Sequence, residues 1–77
     1  MYHNSIEAFQ HLLSPAVSQI SAKSGRMQNG IAYCIVQVLF ATGDEYRIEA
    51  YDEEADELYR IAKQQSSLVR LHKFVSF

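Results

Sequence analysis

Apolar residues recur in more than one rhythm along this chain. In the first third, Ile6, Phe9, Leu13, Val17 and Ile20 are spaced by three or four residues, with Tyr2 and Ala16 in phase. That spacing predicts a helix with one apolar stripe. Asn4 is placed to cap its start, Glu7 is the matching capping-box acid, and Gly25 is a stop signal. Pro15 interrupts the pattern, because its ring clashes with the carbonyl of His11 and disfavours helix at Ser14. Two outcomes are open: a helix kinked at Pro15, or a second short helix capped by Ser14. The stripe keeps its phase across Pro15, so one kinked helix is expected.

The second rhythm is continuous. Residues 31–40, IAYCIVQVLF, are apolar at nine of ten positions, as in a strand buried on both faces. Thr42, Gly43 and Asp44 form a turn signal, and residues 45–51 read as a returning strand. In it Tyr46, Ile48 and Ala50 face one way, and Arg47, Glu49 and Tyr51 the other. Asp52 is then expected to cap a helix over residues 53–65. Ala55, Leu58, Ile61 and Ala62 make its apolar side, and Glu53, Asp56, Glu57, Arg60 and Lys63 project to water. Residues 64–67, QQSS, read as a break. Residues 68–77 read as a closing strand with Val69, Leu71, Val75 and Phe77 on one face.

The predicted order is α-β-β-α-β, an α+β fold: an N-terminal helix kinked at Pro15, then a β-β-α-β unit. The sheet is expected to be three-stranded and antiparallel, in the order 2-1-3, with residues 31–40 in the middle. The second helix would cover one face of that strand. The first helix or a partner subunit would cover the other.

Seventy-seven residues, 48% of them hydrophobic, make one domain spanning 1–77 with a small core. Such a core leaves little room for a substrate cavity of about 300 Å³ or more. Cys34 is the single cysteine; lying in the apolar run, it reads as a buried, inert thiol. Neither a secretory signal nor an apolar run of the ~18 residues that cross a membrane is visible. A cytoplasmic protein without membrane attachment is expected.

The net charge of −2 is unevenly spread. Residues 1–43 carry a net +1, residues 44–57 carry eight acids and Arg47, and residues 58–77 carry four bases. No cofactor, metal or catalytic constellation is expected, because His3, His11 and His72 lack ligand spacing. His72 and Cys34 could meet across neighbouring strands, but a thiol buried in a strand is a poor nucleophile. The acids Glu53, Asp56 and Glu57 are first a solvated helix start, and second a patch for a basic partner. From residue 1 to residue 22 only Glu7 is charged. Gln10, His11, Ser14 and Ser18 would therefore give the first helix an uncharged outer face suited to a partner or a second copy.

A hairpin followed by an acid-led helix and a closing strand is similar, in element order alone, to several small phage-encoded inhibitors, including some anti-CRISPR proteins. The similarity covers about half the chain and carries over no site residues. The expected function is a non-catalytic protein-interaction module: an inhibitor or accessory protein encoded by a phage or mobile element, with a protein partner and a two-fold homodimer. The alternative is nucleic-acid binding through the basic 60–73 region, using Arg60, Lys63, Arg70 and Lys73. It is disfavoured by the dispersed charge and by the lack of a glycine-rich phosphate loop.

Overall fold

Asn4 opens the first helix as its sequence requires: the side-chain oxygen accepts a hydrogen bond from the Glu7 N–H at 2.8 Å. The structure is a computed structural model that describes residues 4–75, with side chains through Val69. Helix α1 (Ser5–Leu12) is followed by three strands, β1 (Val17–Arg26), β2 (Ala32–Phe40) and β3 (Glu45–Tyr51), and by a long helix, α2 (Glu53–Val75). The strands form one antiparallel meander in the order β1-β2-β3. The fold is α+β, and residues 32–40 are the middle strand, but the order is neither α-β-β-α-β nor 2-1-3.

Two corrections account for the difference. The first helix does not pass Pro15. It ends at Leu12, and Leu13 is extended (φ −70°, ψ 125°); just beyond it, Pro15 has no N–H to continue the helical ladder and disfavours helix at Ser14. Ser14 then turns the chain, its hydroxyl accepting from Ala16 N–H and its carbonyl from Val17 N–H. The stripe that continued through Val17 and Ile20 belongs to β1. A bulge there pairs Val17 with Phe40 and Ile20 with Val38. The extra residue, Ser18, lets two positions three apart share one face of a strand. A helical spacing was thus produced by a bulged strand.

The second correction concerns the C-terminal segment. Residues 64–67 do not break the helix, and residues 68–75 continue it. The segment lacks Gly and Pro, and both its serines find acceptors. Ser66 donates to the Ile20 carbonyl on β1 at 3.0 Å, and Ser67 to the Lys63 carbonyl one turn back. The buried row of α2 runs Ala55, Leu58, Ala62, Ser66, with Val69 partly buried in phase. Without the closing strand, the likeness in element order to phage inhibitors has no basis. Tyr2, and the side chains of Leu71, Val75 and Phe77, lie outside the described residues.

The turns are closed by Gly30 (φ +88°) and Gly43 (φ +97°), whose backbones any Cβ would strain. Asp52 also has a positive φ, of 63°. It starts α2 with its backbone carbonyl, which accepts from Ala55 N–H at 3.2 Å, in place of the side-chain cap expected of it.

Both helices lie on the same face of the sheet. Phe9 of α1 and Leu58 of α2, both fully buried, pack with Cys34, Val36 and Val38 of β2 and Ala50 of β3 in one core. Burying each large side chain contributes roughly 1.5–3 kcal/mol. Backbone contacts tie α1 down: Ser5 N–H donates to Glu54, and the Ser5 hydroxyl donates to the Glu49 carbonyl at 2.8 Å.

Candidate functional site

Strand alternation puts the other half of β2 on the opposite face. There Tyr33, Ile35 and Leu39 are half-buried and Gln37 is exposed, and among the described residues no helix covers them. The registers assemble four rows across the three strands: Gln19–Leu39–Glu45, Ser21–Gln37–Arg47, Lys23–Ile35–Glu49 and Gly25–Tyr33–Tyr51. This open face explains the continuous apolar run of β2. One side makes the core, and the other is a surface.

The face has ordered chemistry. Glu49 accepts from the Tyr51 hydroxyl at 2.7 Å and pairs with Arg47 Nε at 3.1 Å. Tyr51 is correspondingly harder to ionise: its hydrogen bond to Glu49 and the nearby carboxylate charge raise its pKa. Tyr33 leans across Gly25, where an added Cβ would come within 2.7 Å of the phenol oxygen. A shallow hollow of about 230 Å³ opens on this face, bordered by Ser21, Lys23, Ile35, Gln37 and Arg47. It is too open and too small to enclose a substrate.

The residues singled out from sequence fall elsewhere. Glu53, Asp56 and Glu57 are exposed at the start of α2, where the helix dipole favours acids. The acid that makes a tertiary contact is their neighbour Glu54, through Ser5. Gln10, His11, Ser14 and Ser18 do not share a helix face. The first two are exposed on α1, Ser14 is in the turn, and Ser18 is partly buried in the bulge. Arg60 and Lys63 are exposed on α2, with the Lys63 ammonium 5.9 Å from the Tyr59 ring centre. Arg70 and Lys73 lie in its last turns, where side chains are outside the described residues.

Cys34 is fully buried, and desolvation raises its pKa, keeping it a thiol. The notion of a Cys34–His72 pair required a strand at residue 72, where the backbone is helical. Among the described residues no group of three or more His, Cys, Asp or Glu could hold a metal ion, and no helix is long and apolar enough to cross a membrane.

Sequence reasoning missed Tyr33, Ile35, Lys23 and Arg47 as a surface. The signal present was the apolar run itself, which asked for a cover on each face; that both helices take the same face was not legible in it. Comparison with known proteins yields no significant match to a family model, a curated protein or a solved structure.

Proposed function

We propose that this chain is a non-catalytic protein-interaction module whose contact surface is the open face of the sheet. The observation that carries the reading is the row Lys23–Ile35–Glu49 beside Tyr33 and Tyr51: an aliphatic and aromatic centre flanked by charges. Tyrosines over an apolar centre with charged margins are the composition of protein contact surfaces. Two cations, Lys23 and Arg47, are matched by two carboxylates, Glu45 and Glu49. The face therefore offers a nucleic-acid backbone no net attraction. The basic stretch of α2 remains the alternative route to nucleic acid, and retention on heparin at low salt measures it. The narrower role of phage or mobile-element inhibitor rests on chain size alone.

The test compares two variants in affinity capture from a lysate of the source cell, followed by mass spectrometry. Ile35→Lys places a charge at the centre of the face without entering the core, and should abolish capture while the chain still melts cooperatively. Reversing Glu53, Asp56 and Glu57 to Lys should leave capture unchanged. It should also cost about 1 kcal/mol of stability that fades with added salt, because Glu53 and Asp56 leave the first turn of α2. Capture surviving Ile35→Lys would overturn the open-face reading. Capture lost only with the acid reversal would move the contact to the start of α2.

A further inference from the structure

The pattern on the open face is complementary to itself, and from it we infer that the sheet packs face to face against a second copy of this chain, about a two-fold axis running along β2. The inference rests on the reading of this face as a contact surface and names its occupant. Such an axis carries β1 of one copy over β3 of the other, while β2 meets itself. Applied to the observed registers, it sets Ile35 against Ile35, Leu39 against Leu39 and the Gln37 amide against the Gln37 amide. It also sets Lys23 against Glu49 of the second copy, twice by symmetry.

The two charges are suited to that meeting. Within its own chain, the Lys23 ammonium has no hydrogen-bond or ion-pair partner among the described residues. Glu49 is held in place by Tyr51 and Arg47, so little conformational freedom remains to be lost when a cation arrives. On the neighbouring row, Tyr51 is set over Gly25 of the second copy, where that copy's own Tyr33 ring lies, so aromatic meets aromatic. Arg47 faces Ser21, and Glu45 faces Gln19. No like charges oppose one another anywhere in the arrangement. An axis across the strands at Gln37 instead lays β3 over β3 and sets Arg47 against Arg47 and Glu45 against Glu49, opposing like charges. Packed sheets lie about 10 Å apart, a separation these side chains fill.

The footprint sets the strength. Three strands over seven residues span roughly 14 Å by 20 Å, less than the roughly 800 Å² per partner of a standard interface. The dimer is therefore expected to form and dissociate within the micromolar to millimolar range, as weak interfaces do.

Sedimentation equilibrium of the purified full chain over that range is the test. The mass should rise from the 8.8 kDa of one chain toward twice that value, with a midpoint that weakens in high salt. Lys23→Glu and Glu49→Lys should each raise the midpoint about tenfold, since each turns two attractions into two repulsions. Mixing the two single variants should restore association, because a mixed pair again has opposite charges at both contacts; circular dichroism confirms that each is folded. A mass of 8.8 kDa at every concentration overturns the dimer, and so does failure of the mixture to associate. If the chain stays single while Ile35→Lys still abolishes partner capture, the second copy is wrong and the contact face stands. If neither association nor capture depends on Ile35, both readings fall.

Discussion

Ser66, near the middle of α2, hydrogen-bonds through its hydroxyl to the backbone carbonyl of Ile20 on β1, 3.0 Å away and buried. β1 is an edge of the sheet, so part of its backbone has no strand to pair with. The long helix supplies one of the missing donors. A polar residue in the buried row thereby joins the C-terminal helix to the strand that sequence periodicity disguised as helix. Covering an edge in this way also limits its pairing with other chains.

Ser66→Ala should therefore destabilise the chain although it removes a single oxygen. The Ile20 carbonyl would be left without its partner, at a cost of about 1–3 kcal/mol. Urea unfolding followed by circular dichroism measures the change. A loss below the error of the method would mean that water replaces the hydroxyl and that α2 is not fastened at this point.

The core makes a sharper demand. Val36 is fully buried between the helices and the sheet. Val36→Asp would place an unpaired charge there at a cost of several kcal/mol, comparable with the whole stability of a small domain, on the order of 5 kcal/mol. The variant should be unfolded at room temperature. Phe9→Ala, which removes the ring that docks α1, should cost about 3–5 kcal/mol and leave the chain at the margin of folding. A melt close to the parent's for either variant would contradict the shared core.

Cys34 gives the chain an alkaline sensitivity. Burial raises its pKa in the folded state, whereas the unfolded thiol titrates near about 8.5. Above that pH the unfolded chain loses a proton that the folded chain keeps, so stability is fully present below about 8.5 and falls as pH rises toward the folded value. Denaturation midpoints measured from pH 8 to 10 should decline more steeply in the parent than in Cys34→Ala. Equal slopes would show that the thiol titrates as freely in the fold as outside it. In the native state the thiol should also resist alkylating reagents until the chain opens.

Several features were legible in the sequence because they depend on neighbours a few residues apart. The Asn4 cap, the β2–β3 hairpin with Gly43 at its turn and the acid-led start of α2 are local events, and each is where its residues place it. The run around Val36 also identified the middle strand and the heart of the core: with a strand on each edge, its Cys34, Val36 and Val38 face is fully buried. Tertiary structure decided the rest. Val17 and Ile20 share a face because of a bulge whose existence depends on pairing with Phe40 and Val38, some twenty residues away. Residues 64–67 remain helical because Ser66 finds the Ile20 carbonyl, an acceptor no local window contains. The open face, with Lys23, Ile35 and Glu49 in one row, exists only once three strands lie side by side and both helices have taken the same face. Local sequence sets which backbone conformations are inexpensive; long-range pairing selects among them and determines which side chains face water.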